Sequence, residues 1–87
     1  MKIILSPRAK KQLKGVSRTA QIILTKKIRG IAVGSLVKEE KLSGYQNIYR
    51  IRVGDYRVVY KRTREEVFII LIGHRREIYR LLRELLR

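Results

Sequence analysis

The sequence predicts a single α+β domain in which an N-terminal strand and a helical hairpin pack on an antiparallel β-sheet that is followed by a C-terminal helix. Three patterns support this: helical apolar spacing before residue 34, two alternating segments joined by a two-residue loop, and helical spacing again after residue 77. A chain of 87 residues is about the size of one small domain. We therefore expect one domain, residues 1–87, with the element order β-α-α-β-β-β-α.

The N-terminal half predicts a short strand and two helices. Lys2–Leu5 is β-prone, and Ser6 before Pro7 is a typical helix start, because serine caps free amides and proline fixes the first turn. This helix should end near Gly15; Ser17 or Thr19 should cap the next, and Gly34 should end it. The expected apolar positions are Ala9, Leu13 and Val16, then Ile22, Ile23, Ile28 and Ala32, with Arg18, Lys26, Lys27 and Arg29 facing water.

The C-terminal half predicts three strands and a last helix. After a charged connector at residues 37–41, Gly54 and Asp55 form a two-residue loop typical of a type I′ or II′ hairpin. The strands are expected at 48–53, 56–62 and 67–72, the last being continuously apolar and covered on both faces. The final helix is expected at 77–87 with Ile78, Leu81, Leu82 and Leu85 buried.

Charge is the most unusual property of the chain. It has 22 Lys and Arg against 7 Asp and Glu, a net charge of +15. Such a field destabilises the fold through self-repulsion, and a polyanionic partner, nucleic acid or the ribosome, explains it most simply. A membrane surface and an acidic protein are the alternatives.

Other classes are disfavoured by what the sequence contains. There is no cysteine, and the seven acids do not gather into a metal-binding motif, so neither a metal nor a cofactor is expected. The longest apolar run is far shorter than the ~20 residues of a membrane helix, and the N-terminus has too few apolar residues for a secretory signal. We expect a cytoplasmic protein with no membrane partner.

The hairpin separates apolar from basic side chains. A two-residue loop places Arg52 opposite Arg57 and Arg50 opposite Val59. One face then carries Tyr49, Ile51, Val53, Tyr56, Val58 and Tyr60, and the other carries Arg50, Arg52, Arg57, Val59 and Lys61. Opposed like charges destabilise a sheet by roughly 0.2–1 kcal/mol per pair, so an anion is expected on the basic face. The alternative is an ordinary solvent-exposed face, but this one is expected to carry no acid.

The segment after the third strand extends the basic surface. Arg75 and Tyr79 share one helical side if the last helix begins by Arg75; alternatively Tyr79 packs in the core and Arg75 is solvated. His74 is the only histidine, more typical of a surface residue than a catalytic one. A stripe of Arg76, Arg80, Arg83 and Arg87 follows the other flank as a solvated or RNA-backbone face.

These residues resemble a known family. The predicted order, with "LSGYQNIYRIRVGDYRVVYKR" leading through "VFIILIGHRREIYR", is similar to RelE-type toxins of toxin-antitoxin systems over essentially the whole chain. The resemblance implies a RelE-like fold and a ribosome-dependent endoribonuclease that cleaves messenger RNA in the ribosomal A site. It also implies inhibition by a RelB-type acidic antitoxin, which we expect to form a heterotetramer with the toxin and to cover the basic face or pair with the last helix.

By position, the resemblance assigns functional residues. Arg50 and Arg52 match the first-strand basic pair, Arg57 the hairpin arginine, Arg75 the arginine two after the glycine, and Tyr79 the C-terminal tyrosine. The pair is lysine in the best-known members, and arginine has too high a pKa for easy proton donation, so Arg52 is expected to act electrostatically. The other expected RNA-binding residues are Lys61, Arg76, Arg80 and His74.

Metal-free RNA cleavage assigns chemistry to these residues. The 2′-hydroxyl attacks the adjacent phosphorus, and arginines stabilise the charge of that state through paired donors. Arg52, Arg57 and Arg75 are expected to do this. Tyr79 is the candidate base, because neighbouring cations lower the pKa of a phenol from about 10, and His74 is the reserve.

Two other functions fit the sequence. One is a ParE-like inhibitor of DNA gyrase, against which the combination of Arg57, Arg75 and Tyr79 argues. The other is a non-catalytic RNA-binding protein, favoured by size and charge; such proteins often carry basic tails, whereas the cations here alternate with core residues.

Overall fold

The computed structural model of the chain describes residues 1–34 and 38–85. Its elements are β1 (Lys2–Leu5), α1 (Pro7–Gly15), α2 (Arg18–Ala32), β2 (Glu39–Lys41), β3 (Ile48–Val53), β4 (Tyr56–Arg62), β5 (Glu66–His74) and α3 (Ile78–Leu85). The α+β prediction is confirmed, with one strand more than expected. None of the described helices is long and apolar enough to cross a membrane.

The strands form one sheet in the order β1-β5-β4-β3-β2. β1 pairs with β5 in parallel, and the other pairs are antiparallel. The parallel pair is possible because the α1–α2 hairpin and the three strands after it separate β1 from β5 in the chain. β5 lies inside the sheet, and its residues 67 and 69–72 are buried, as its continuous apolar sequence predicts.

The additional strand, β2, lies in the segment predicted as a charged connector. Glu39 pairs with Ile51 and Glu40 with Arg50, at the free edge of β3. Three charged residues have little β-propensity of their own, so the strand depends on its pairing and on the ion pairs its acids make with arginines. Val37, the first residue of the predicted connector, lies outside the described residues.

Serine caps fix the two N-terminal helices as predicted. The Ser6 hydroxyl accepts a hydrogen bond from the Ala9 amide (3.0 Å) and donates one to the Ile70 carbonyl (2.8 Å), which ties the start of α1 to β5. Of the two candidate caps for α2, Ser17 is the one used. Gly34, with a φ of +74°, follows the helix in the left-handed conformation that glycine favours.

The predicted apolar stripe of α2 is partly wrong. Ile28 and Ala32 are buried as expected, but Ile22 and Ile23 have 58% and 47% of their surface exposed. Leu24 and Ile31 are buried in their place. α2 has apolar residues on two sides of the helix. The side that carries Leu24, Ile28 and Ile31 is the one that packs on the sheet.

The β3–β4 hairpin has the predicted register, including Arg52 opposite Arg57 and Arg50 opposite Val59. Gly54 has a φ of +60° whereas Asp55 does not have a positive φ. Positive φ at the first loop position alone corresponds to type II′, one of the two predicted turns.

Two hydrophobic cores lie on opposite faces of the sheet. The first, between the sheet and α1–α2, includes Leu24, Ile51, Val58, Tyr60 and Ile72. The second, between the sheet and α3, includes Ile48, Val59, Ile70, Leu71, Ile78 and Leu82. A register shift at Val59/Tyr60 lets the consecutive residues Ile70 and Leu71 both join the second core.

α3 is shorter at its start than predicted. It begins at Ile78, so Arg75 lies in the preceding turn, where the Glu77 amide donates to the His74 carbonyl (3.0 Å). Ile78 and Leu82 are buried and Leu81 is half-buried, as expected. Leu85 is 46% exposed, contrary to the prediction, because it lies in the last turn, past the residues that pack in the second core. The predicted helix residues 86–87 lie outside the described residues.

Candidate nucleic-acid interface

The basic residues of β3 and β4 lie on the sheet face that α3 covers in part. Along β3, Ile48 is buried in the second core, the Arg50 side chain is 17% exposed, and the Arg52 side chain is 60% exposed. Exposure therefore increases toward the hairpin turn. We call Arg50, Arg52, Arg57 and Arg75 the arginine cluster.

Arg57 is held over the hairpin turn. Its Nη1 donates to the Gly54 carbonyl (3.0 Å) and to the Tyr56 carbonyl (2.9 Å). The pKa of Arg57 is lowered, first by partial burial and then by the positive charges of the other three cluster members. The guanidinium remains protonated at neutral pH because arginine starts from such a high pKa. Arg52 lies directly opposite Arg57 in the β3–β4 ladder, so two of these cations are neighbours on one face.

Arg75 reaches the cluster through the turn, not through a helix. Its backbone amide donates to the Asp55 carbonyl (2.8 Å), and its Nε lies 3.7 Å from Asp55 Oδ1. The predicted helical side shared with Tyr79 is absent, since α3 begins after Arg75. The contact with Asp55 places Arg75 beside the hairpin turn instead.

Arg50 connects the cluster to α3. The carbon at the centre of its guanidinium lies 5.3 Å from the centroid of the Tyr79 ring, within the range of a cation–π interaction. Its Nη2 lies 2.6 Å from Glu40 Oε2, and its Nε is buried without a hydrogen-bond partner among the described residues. The Arg50 side chain is thus held by the ion pair with Glu40, and it is less exposed than those of Arg52 (60%) and Arg75 (53%).

Tyr79 meets the cluster with its ring. The residue is half-buried against the second core, and its hydroxyl oxygen is buried with no hydrogen-bond partner among the described residues. The structure therefore agrees with the alternative in which Tyr79 packs in the core and Arg75 is solvated. The contact of the Tyr79 ring with Arg50 was not predicted.

An acid, Glu40, lies on the basic face. Glu40 Oε2 is 2.6 Å from Arg50 Nη2, and Glu40 Oε1 is 3.9 Å from Arg52 Nε. The hydrogen bond to Arg50, followed by the charges of Arg50 and Arg52, holds the pKa of Glu40 below its usual value. The expectation that this face carries no acid is wrong, because the acid comes from β2. The sequence contains one signal for this strand, since Glu39 and Glu40 come shortly before the turn residues Ser43 and Gly44.

The remaining predicted RNA-binding residues do not join the cluster. Lys61 is exposed on the same face, opposite Ile48. Arg76 is exposed in the turn before α3, and Arg80 is exposed and paired with Glu84 at 3.3 Å.

His74 lies on the other side of the sheet. It is opposite Tyr56 in the β4–β5 ladder, and the two rings meet edge to face with centroids 6.1 Å apart. Tyr56 packs against the first core, so His74 faces the α1–α2 side. The structure does not bring His74 together with the arginine cluster.

Within residues 1–34 and 38–85, no group of three or more His, Cys, Asp or Glu side chains is arranged to hold a metal ion. The chemistry that the described site offers is that of guanidinium groups, one phenol and two carboxylates. Guanidinium groups bind phosphate through paired, charge-assisted hydrogen bonds. A cluster of this composition suits the phosphodiester of a nucleic acid.

Comparison with known families identifies the class of the protein. Residues 3–79 match the family described as ParE toxin of type II toxin-antitoxin system, parDE. The match covers most of the chain, and the chain therefore belongs to this family of toxins, in the RelE/ParE superfamily. No curated protein sequence gives a significant match.

Solved structures support the RelE-type assignment within that superfamily. The isolated RelE toxin of Escherichia coli has 26% sequence identity and a TM-score of 0.74, with 99% of this chain and 98% of that chain covered. The toxin-antitoxin complex RelBE of E. coli gives 26% identity and a TM-score of 0.68, with 84% and 94% covered. The RelB-RelE complex of Methanococcus jannaschii gives 24% identity and a TM-score of 0.68, with 90% and 96% covered, a likeness of fold.

Proposed function

We propose that this toxin is a ribosome-dependent endoribonuclease that cleaves messenger RNA in the ribosomal A site and thereby inhibits translation in the cytoplasm. The observation that carries the proposal is the arginine cluster. Arg52 lies opposite Arg57, one Glu40 carboxylate contacts both Arg50 and Arg52, and Arg75 lies beside Asp55 of the hairpin turn. Folding alone does not favour such an arrangement, whereas binding of a phosphodiester compensates for it.

Metal-free RNA cleavage needs a base for the 2′-hydroxyl, stabilisation of the negative charge that develops on the phosphate, and a proton for the departing 5′-oxygen. The cluster supplies the second of these. Attack by the 2′-hydroxyl on phosphorus places extra negative charge on the phosphate oxygens, which Arg52, Arg57 and Arg75 stabilise through charge-assisted hydrogen bonds. Arg50, held by Glu40 and the Tyr79 ring, adds positive charge beside the same phosphate. Attack by the 2′-oxygen forms a 2′,3′-cyclic phosphate and expels the 5′-oxygen. Arginine holds its proton too tightly to protonate this oxygen, so solvent water supplies the proton.

Tyr79 is the proposed base, acting as the phenolate after its own proton has passed to solvent. In the structure its hydroxyl is buried, so it must leave that position to reach a 2′-hydroxyl when RNA binds. Leaving breaks no hydrogen bond within the described protein, and a buried hydroxyl without a partner costs about 1–3 kcal/mol, which a polar substrate would recover. His74 is a weaker candidate because it faces the other side of the sheet.

Substrate positioning must supply much of the rate acceleration. A site without a strong acid–base pair gains from a partner that holds the 2′-hydroxyl in line with the phosphorus, and effects of this type are large. A ribosome holds the message in a fixed path and can do this. We therefore expect little cleavage of free RNA.

The test is cell-free translation with purified protein, with message ends mapped by primer extension. Wild type should cut translated message at codon-spaced positions and leave naked message largely intact. Arg57→Ala and Arg75→Ala should each reduce the cutting rate about 10²- to 10³-fold. Arg64→Ala, in the exposed β4–β5 turn, is the matched control and should cut normally. Equal cutting of naked and translated message would refute ribosome dependence.

An antitoxin is the proposed protein partner. Two of the similar structures are RelB-RelE complexes. In this chain the first 38 residues contain ten Lys and Arg and no acid, and α2 exposes Ile22 and Ile23 beside cations. A surface that combines cations with exposed large apolar residues suits an acidic, RelB-type amphipathic segment better than solvent alone. We propose that two toxins and two antitoxins form a heterotetramer.

Co-expression with the product of the neighbouring gene tests the partner proposal. Light scattering of the purified complex should give the mass of a heterotetramer, and the complex should not cut message. Ile22→Asn together with Ile23→Asn should weaken the complex while leaving free-toxin cleavage unchanged, because both residues lie away from the arginine cluster. Lys10→Asn with Lys11→Asn, on α1, measures separately how much the cations of the N-terminal half contribute to the complex.

Inhibition of DNA gyrase is the second candidate, since the matching family bears the name ParE. Expression of the toxin distinguishes the two. Loss of protein synthesis before any DNA damage supports the endoribonuclease, and DNA damage with intact messages supports the gyrase inhibitor. A non-catalytic RNA-binding protein would bind RNA and never cut it.

A further inference from the structure

Glu40 shares its carboxylate between two members of the arginine cluster. Its Oε2 lies 2.6 Å from Arg50 Nη2, and its Oε1 lies 3.9 Å from Arg52 Nε. These are two different carboxylate oxygens and two different guanidinium groups, a pattern that a phosphodiester with two free oxygens could reproduce. The carboxylate therefore occupies a position in which an RNA phosphate would bind.

The position of Glu40 is built into the sheet. In the β2–β3 ladder Glu40 is directly opposite Arg50, so their side chains leave the same face. Arg50 is fixed from two sides, by Glu40 and by the Tyr79 ring at 5.3 Å. The contact follows from strand register, unlike the many surface ion pairs made by chance between long side chains.

The pair is nevertheless open to exchange. The Glu40 side chain is 46% exposed, and that of Arg52 is 60% exposed. Exposed ion pairs are weak because water and salt screen them. A phosphate that arrives with several others on one strand can displace a single exposed carboxylate, whereas an isolated anion competes poorly with it.

We propose that Glu40 is an internal counter-charge that competes with RNA phosphate for Arg50 and Arg52. It thereby lowers the affinity of the arginine cluster for RNA. The inference deepens the proposed function, because it takes RNA as the ligand of the arginine cluster. The consequence is that the site discriminates between free RNA and RNA held by a ribosome. Free RNA binds against the competition of Glu40, and RNA that a ribosome presents in a fixed position overcomes it.

The test compares two variants of equal net charge. Glu40→Gln removes the carboxylate charge but keeps a carbonyl oxygen that can accept a hydrogen bond from Arg50. Glu65→Gln makes the same change at an exposed residue of the β4–β5 turn. The probe is a fluorescent single-stranded RNA oligonucleotide with 2′-O-methyl groups, which cannot be cleaved, and binding is followed by anisotropy at several salt concentrations.

Loss of a like charge beside the bound phosphate should tighten binding by E40Q about 3- to 10-fold relative to E65Q. Because one more phosphate is neutralised, the slope of log affinity against log salt should steepen by about 0.7 relative to E65Q. E40Q should also cut naked message more readily, so that its preference for translated message narrows. Glu40→Thr, a substitution suited to an edge strand, should behave like E40Q and serves if E40Q folds poorly.

Equal affinity and equal salt slopes for E40Q and E65Q would overturn the inference. Weaker binding by both E40Q and Glu40→Thr would also overturn it, because Glu40 would then hold Arg50 in place for RNA rather than compete with RNA. The proposed function fails separately: if wild type leaves translated message intact, the oligonucleotide measurement still decides whether Glu40 competes.

Discussion

The two faces of the sheet differ in how completely helices cover them. The α1–α2 hairpin closes one face over a core that includes Leu24, Val58 and Tyr60, all fully buried. α3 covers the other face only in part, and the exposed remainder carries the arginine cluster. The fold therefore has its larger core on the α1–α2 face, whereas part of the α3 face, with the arginine cluster, is left uncovered by helices.

The adjacent acids of β2 show the same difference on a smaller scale. Glu39 points to the α1–α2 side, where it accepts a hydrogen bond from the Tyr60 hydroxyl and lies 2.6 Å from Arg62 Nη1. Arg62 in turn lies over the Tyr49 ring, 4.6 Å from its centroid. The Glu39 side chain is 20% exposed and that of Glu40 46% exposed. Glu39 belongs to a half-buried network that holds β2 against the sheet, whereas Glu40 lies in a more exposed ion pair.

The largest expected effect lies on the closed face. Leu24→Ala should lower the free energy of unfolding by about 2–5 kcal/mol, because it leaves a cavity at a fully buried position. Its neighbour Ile23, 47% exposed, provides the matched control, and Ile23→Ala should cost under about 1 kcal/mol. Chemical denaturation of both variants checks this. A larger loss for Ile23→Ala than for Leu24→Ala would mean that α2 packs with the Ile22 and Ile23 side inward, as its apolar spacing suggested.

Removal of the Tyr60 hydroxyl should have the next effect. The hydroxyl donates to a carboxylate in a half-buried site, so Tyr60→Phe should cost about 1.5–3 kcal/mol of stability. Burial, and then the hydrogen bond to Glu39, raise the pKa of Tyr60. A tyrosine whose pKa is raised by folding stabilises the fold below the unfolded pKa of about 10, and this contribution is lost as the pH rises above it.

The pH dependence provides the control for Tyr60. Wild type should lose stability more steeply than Tyr60→Phe above about pH 10, where the unfolded phenol ionises first. Parallel curves for the two proteins in that range would contradict the proposed network.

The features that were predicted correctly from the sequence are those that depend on residues adjacent in the chain. Gly54 and Asp55 fix a two-residue loop, and the loop fixes the register that sets Arg52 opposite Arg57. The Ser6 cap is equally local. The phase of α2 and the existence of β2 were not predictable in this way, because both depend on what packs against them. Because β2 was not predicted, Glu40, which reaches the arginine cluster from that strand, was not predicted as a site residue either.

The position of Tyr79 shows a second limit. Spacing in the sequence related it to Arg75 through a helix, but the structure relates it to Arg50 through its ring. The start of α3 is set by the turn at residues 75–77, and sequence patterns place helix ends poorly. A site assembled from a turn, a strand pair and a helix is visible only once all three are in place.

Relief of the opposed arginines should have a small effect of the opposite sign. Arg52→Thr removes a like-charge cross-strand pair and adds a residue that favours strands, so stability should rise by about 0.2–1 kcal/mol. Cleavage of translated message should fall about 10²-fold, since one phosphate contact is lost. Arg64→Thr, in the β4–β5 turn, should change neither quantity. A destabilised Arg52→Thr would show that Glu40 already compensates fully for the opposed charges.

The smallest expected change in stability, together with a large change in activity, is that of Tyr79→Phe. The variant keeps the ring that contacts Arg50 and removes a buried hydroxyl without a partner, so the free energy of unfolding should stay the same or rise by up to about 1 kcal/mol. If the phenolate form of Tyr79 takes the proton of the RNA 2′-hydroxyl, cleavage should fall about 10²- to 10⁴-fold in the variant while oligonucleotide binding is unchanged. Full activity in Tyr79→Phe would restrict Tyr79 to supporting Arg50, and the base would then have to come from RNA or from the ribosome. Tyr79→Leu separates the two roles, because it removes the ring as well and should weaken binding.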